Sequence, residues 1–167
     1  MLFRISIGVV WLSTCALAQT AVVPLFIIER SLNANVVHYD ARLKNGRLDP
    51  AEPVVAYWEM KAEDGRRRDL NVIERLKAYG FSIRPDAAQD SYILTMVSDK
   101  RRRMEIYIRS MGERVRAEVT LGNCRAYLEK IYVTAHKALL LPVADSVELI
   151  GKEIMTGTPC RAKIADN

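Results

Sequence analysis

The sequence predicts a mainly β domain: an antiparallel meander of about eight to ten strands, barrel-like or strongly curled, with one helix near residues 70–79. Three observations carry that expectation. Strand-length runs rich in β-branched and aromatic residues recur along the chain, as in Val36–Leu43 and Val54–Met60. Tight-turn signals separate such runs, among them Asn45-Gly46 and Gly122-Asn123. Only one stretch beyond the first 18 residues combines helical apolar spacing with a terminal glycine.

The leader comes first. Met1-Leu2-Phe3-Arg4 is short and singly charged, Ile5 to Leu17 is mostly apolar, and Ala16-Leu17-Ala18 puts small residues before Gln19. That pattern reads as a cleaved secretory signal peptide over residues 1–18, too short to remain as a membrane span. Residues 19–167 then form a single β-rich domain, exported to the periplasm or secreted. Leu12-Ser13-Thr14-Cys15 resembles a lipoprotein box, but Thr14 is a poor residue before a lipidated cysteine. Lipidation through Cys15 is the weaker reading.

The strands follow in order. Pro24–Arg30 is a bulky apolar run, and Ser31–Asn35 a turn-like break. Val36–Leu43 is the second strand, and Asn45-Gly46 turns the chain. Pro50 and Pro53 hold it extended until Val54–Met60 forms the third. Lys61–Arg68 reads as a charged loop with Asp64-Gly65 at its tip. Asp69 is the expected N-cap of a helix from Leu70 to about Tyr79, with Leu70, Ile73 and Leu76 on one narrow apolar face and Gly80 ending it. Alternation resumes in Ser91–Ser98, Met104–Arg109 and Arg114–Leu121, with turns at Asp99–Arg101, Ser110–Glu113 and Gly122-Asn123. The longest hairpin is expected from Cys124 to about Lys137 and from about Val143 to Ile154.

Composition narrows the class of function. Of the 25 Lys and Arg only Arg4 lies in the leader, so 24 face 20 acidic residues. This mild excess suits weak attraction to an anionic envelope surface but not a dedicated nucleic-acid binder. Cys124 and Cys160 remain after the leader, and two cysteines in an exported chain read as one disulfide. Pro142 lies midway between them. A long hairpin about Pro142 without a net bulge would bring them face to face and close a loop of about 36 residues. Without Cys-x-x-Cys spacing, a redox-active pair is disfavoured.

Several segments together resemble an uncharacterised family, the domain of unknown function 4833. The pieces are Glu29-Arg30-Ser31, Asn33–Asp40, Tyr57-Trp58, Leu70-Asn71 with Ile73-Glu74, Ala78-Tyr79-Gly80, Glu148–Lys152 and Thr156-Gly157. They run from about residue 25 to 164 in one order. The resemblance implies a shared fold and carries no activity and no catalytic residue.

Candidate ligand-binding residues are Asn35, His38, Asp40, Tyr57 and Tyr79. On one strand His38 and Asp40 share a face, where they could orient a proton or supply two metal ligands. The only other histidine is His136, and no His-Glu-x-x-His spacing occurs, so a structural hydrogen bond is the simpler reading. Asn33 and Asn35 suit a turn. Tyr57 and Trp58 must point to opposite faces of their strand, one of them into the core. Arg66-Arg67-Arg68 and Lys100-Arg101-Arg102-Arg103 suit lipid head groups, polyanionic glycans or acidic proteins. No catalytic residue, cofactor or metal is assigned, and no nucleophile elbow or phosphate-binding glycine loop is present.

The first functional expectation is an envelope protein holding an apolar or amphipathic small molecule in a barrel-like interior or mouth. The alternative is a structural or protein-interaction module of the envelope. The third is an enzyme using His38 and Asp40.

Overall fold

The computed structural model describes residues 19–87, 91–98, 105–111, 114–138 and 141–165. The leader with Cys15, the turn at 99–101 and the Lys100–Arg103 run lie outside the described residues.

The architecture is mostly β, as the sequence predicts, with a strongly curled sheet and one short helix. β1 (Thr20–Arg30) and β2 (Asn33–Lys44) form an antiparallel hairpin, and β3 (Arg47–Leu48) folds back on β2. The Lys44–Arg47 turn has positive φ at both Asn45 and Gly46, the twist that a two-residue hairpin loop requires. β4 (Val54–Glu59) pairs with β2, and β5 (Arg67–Asp69) with β4. After the helix α1 (Val72–Lys77) come β6 (Phe81–Pro85), β7 (Ser91–Met96), β8 (Glu105–Met111) and β9 (Arg114–Leu121), a plain meander. β10 (Cys124–Ala138), β11 (Leu141–Glu153) and β12 (Pro159–Ala165) complete the chain.

β10 is the strand on which the two halves meet. Its first residues, Cys124–Tyr127, pair antiparallel with β9. Further along the same strand Lys130–Val133 pair with Ile27–Arg30 of β1, in parallel. β11 pairs along nearly the full length of β10, and β12 adds to β11. A parallel contact between residues about a hundred positions apart leaves no mark in local sequence pattern.

Three sequence expectations need correction. The helix is shorter than 70–79, and Asn71, not Asp69, caps it: Asn71 Oδ1 accepts from the Glu74 amide while Glu74 Oε2 accepts from the Asn71 amide. Asp69 belongs to β5. The apolar spacing also misleads, because no residue within α1 is buried; Val72, Ile73 and Leu76 are 71%, 72% and 62% exposed. Leu70, just before the helix, is the buried one. Gly80 does follow the helix for a steric reason, since a Cβ there would lie 1.8 Å from the Arg75 carbonyl oxygen.

The cysteines do form a disulfide, Cys124–Cys160, but not across the expected hairpin. Ala138 pairs with Leu141, so Pro142 is not at its centre and faces Lys137. Cys160 sits one strand further on, in β12, opposite Gly151 of β11. The bond therefore ties the start of β10 to β12, past a position that has no side chain. A Cβ on Gly151 would come within 2.4 Å of the Tyr127 carbonyl oxygen.

The concave face carries the core. Tyr39, Trp58, Leu94, Ile106, Ile108 and Leu128 are among its largest fully buried side chains. Phe26 stacks on Tyr39 at 4.5 Å between ring centroids. These side chains pack the concave face against one another. Among the described residues, no helix is long and apolar enough to cross a membrane.

Candidate functional site

Alternation along β2 puts Val37, Tyr39, Ala41 and Leu43 on the core face and Val36, His38 and Asp40 on the other. β4 alternates in step: Trp58 is 2% exposed in the core, and Tyr57 points outward with Glu59. The opposite directions of Tyr57 and Trp58 are as the sequence predicts.

On the outer face His38 and Asp40 are indeed neighbours, but each is held by a different group on β4. His38 Nε2 lies 2.7 Å from Glu59 Oε2, and its ring stacks on Tyr57 at 5.3 Å. That hydrogen bond is the main reason the Glu59 carboxyl sits below its ordinary range. The Tyr57 hydroxyl donates to Asp40 Oδ2 at 2.7 Å. Burial first, then this bond, pushes the Tyr57 phenol up to about 12. The Arg67 guanidinium of β5 lies 3.8 Å from the Tyr57 ring centroid. Asp40 is 4% exposed, and its Oδ1 has no partner among the described residues. This is a ladder of cross-strand pairs rather than a relay from His38 to Asp40. Among the described residues, no group of three or more His, Cys, Asp and Glu could hold a metal ion.

Asn35 has a local role: its Oδ1 accepts from the Ala62 amide at 2.9 Å, tying the start of β2 to the loop after β4. Tyr79 lies on the core side with Trp58, ring centroids 5.0 Å apart and edge to face. The Tyr39 hydroxyl donates to the Tyr79 carbonyl at 2.6 Å, and burial raises both phenols. The five candidates thus divide among a loop tie, an outer ladder and the inner rim.

Sequence reasoning gave no role to the partners that organise these places. Glu59 matters through its register opposite Val36, two positions from His38 on the same face, and Arg30 through its stacking on Trp58. Neither carries a local motif. The same holds for Glu118, whose Oε2 accepts from Arg109 Nε at 3.1 Å and Arg125 Nη2 at 2.7 Å. With Tyr107, Val119 and Thr120 these residues line a shallow depression of about 270 Å³. Asp86 lies 3.9 Å from Arg109, so two carboxylates balance the two guanidinium groups.

Around α1 the balance differs. Arg66 pairs with Glu63 and Asp64, and Arg68 with Glu74. Arg67 is spent on the Tyr57 ring, and Arg75 donates to the Leu70 carbonyl. Arg67, Arg75 and Lys77 thus have no ion pair among the described residues, and three aliphatic side chains of α1 face solvent.

The model of the domain of unknown function DUF4833 matches residues 26–163. No curated protein and no solved structure matches the chain.

Proposed function

The chain belongs to the DUF4833 family, a family of unknown function, and from that premise we propose that it is an exported interaction module that docks on the anionic lipid surface of the cell envelope. One observation carries the reading: Val72, Ile73 and Leu76 stand well exposed on a short helix whose last turn carries Arg75 and Lys77. Within α1, Val72, Ile73 and Leu76 fall in one arc of about 100°, and Glu74 points to the other side, where it holds Arg68. The helix has no packing reason of its own for three outward aliphatics.

The magnitudes suit reversible docking. Fully burying an aliphatic side chain is worth about 1.5–3 kcal/mol, and each basic group near an anionic surface about 1 kcal/mol. Three aliphatics and a few cations together approach the strength of a weak peripheral anchor. The signal peptide expected over residues 1–18 fits the same reading, because export would place these groups where lipid head groups are abundant anions. An interior carrier is less favoured, because the concave face is filled by the chain's own core. Catalysis by His38 and Asp40 is less favoured too, because each is committed to a separate cross-strand partner.

The test is flotation of the exported form, purified from its own fraction, with vesicles of phosphatidylcholine alone or with about a third phosphatidylglycerol. We expect binding to the anionic vesicles at low salt, release at high salt, and loss of binding in Ile73→Glu. Equal binding to neutral vesicles, or none to either, would sink the lipid reading. Native mass spectrometry of the same sample covers the other occupant, since a stable dimer or a stoichiometric protein adduct without vesicle binding would overturn lipid in favour of protein. The spectrum also reads the N-terminus, and a start at Gln19 is expected.

A further inference from the structure

Arg30 ends β1 at the rim of the concave face, and its guanidinium has no carboxylate partner among the described residues. The group lies 4.6 Å from the centroid of the Trp58 ring and 5.7 Å from that of Tyr79. Nη1 donates to the Tyr79 hydroxyl at 2.9 Å, and Nη2 to Asn33 Oδ1 at 3.2 Å. Two donors remain buried without an acceptor, Arg30 Nε and Trp58 Nε1. The Tyr79 hydroxyl is the acceptor in its bond with Arg30, so its own proton is left to donate. The nearby Glu74 carboxylate is already taken by Arg68 at 2.9 Å and by the Asn71 amide.

Three segments far apart in sequence therefore bring together donors of one kind. A buried donor with no acceptor costs folding free energy, and such groups in a native structure call for an explanation. A guanidinium without a counter-charge adds to that cost. One planar acceptor with a single negative charge answers all of these at once.

We infer that this rim binds a small organic carboxylate, whose oxygens take the donors that Arg30, Trp58 and Tyr79 leave unused. A monoanion matches the single uncompensated positive charge. A carboxylate also fits the guanidinium edge in its own plane. Because Nε and Nε1 lie out of contact with solvent, entry requires the Tyr79 segment and the adjoining helix α1 to move aside. That movement breaks the Tyr39–Tyr79 and Arg30–Tyr79 hydrogen bonds, a cost that the bound carboxylate must offset. This site is distinct from the outward arc of α1 and stands or falls independently of docking.

Beyond residue 18, Trp58 is the only tryptophan, so its indole proton is an unambiguous NMR probe in the exported form. Sodium butyrate is titrated against sodium chloride at matched ionic strength, and against inorganic phosphate. We expect a saturable downfield movement of the indole proton with butyrate and none with chloride. Arg30→Gln should abolish it with the remaining spectrum still dispersed, and Tyr79→Phe should weaken binding about five- to tenfold. Absence of saturation with butyrate overturns the inference. So does saturation with phosphate alone, which would make the site one for a dianion. If Arg30→Gln does not fold, unchanged butyrate affinity in Tyr79→Phe overturns it instead.

Discussion

The Tyr57 hydroxyl crosses from β4 to the Asp40 carboxylate on β2, a diagonal cross-strand pair held by a 2.7 Å hydrogen bond. The phenol is pushed from its ordinary 10.0 to about 12, by burial first and by Asp40 next. The folded chain therefore keeps a proton that the unfolded chain has already shed in that interval. The contribution is fully present below pH 10 and is lost as pH rises through about 12. A carbon-13 titration of the Tyr57 ring should place its midpoint near 12, lower in Asp40→Asn. Tyr57→Phe should cost about 1–3 kcal/mol in urea unfolding, because Asp40 then has neither oxygen paired. A wild-type midpoint at the ordinary value would contradict the pairing.

Glu59 acts at the other end of the pH scale. Its carboxyl is lowered from 4.5, chiefly by the hydrogen bond from His38. The stabilisation is present above the ordinary value and disappears as pH falls through the lowered one. His38→Ala should move the Glu59 midpoint back up, as read by carboxyl carbon-13 shifts. An unmoved midpoint would assign the lowering to Lys61, 3.5 Å away, instead.

The disulfide closes a loop of 36 residues and anchors β12, which is otherwise paired on one side only. Replacing both cysteines by serine should lower stability by about 3–4 kcal/mol by chain entropy. Hydrogen exchange in β12 should accelerate more than in β2. Uniform acceleration would mean that β12 is not held locally by the bond.

Capping and packing at α1 separate cleanly. Asn71→Ala removes a cap worth about 1 kcal/mol. Because no helix residue is buried, the loss should appear as faster amide exchange at Arg75 and Ala78, with little change in the global urea midpoint. Gly80→Ala is the contrasting case. Its Cβ meets the Arg75 carbonyl at 1.8 Å, so a global loss of at least about 1 kcal/mol is expected. Equal effects from the two variants would deny this division.

Much of the fold was legible because strand periodicity and turn chemistry are local. Val36–Leu43, Val54–Met60 and Arg114–Leu121 announce their strands by composition, and Asn45-Gly46 announces its turn. The helix was overextended for the opposite reason. Leu70, Ile73 and Leu76 have helical spacing, yet only Leu70 finds a core, so the spacing carried no packing information. The site was half legible. Alternation correctly set His38 beside Asp40 and Tyr57 against Trp58, whereas Glu59, Arg67 and Arg30 became partners only through register.

By itself the sequence determined a curled β sheet with one helix, a pair of cysteines beyond residue 18 for a single bond, and the alternation of faces along its strands. Those properties depend on neighbours a few positions apart. The tertiary structure decided that β1 joins β10 in parallel, that Cys160 reaches Cys124 past Gly151, and that Arg30 rests on Trp58 without a counter-charge. Each of those contacts joins residues more than about twenty-five positions apart, where loop closure leaves many pairings open and only collective burial of the core selects one.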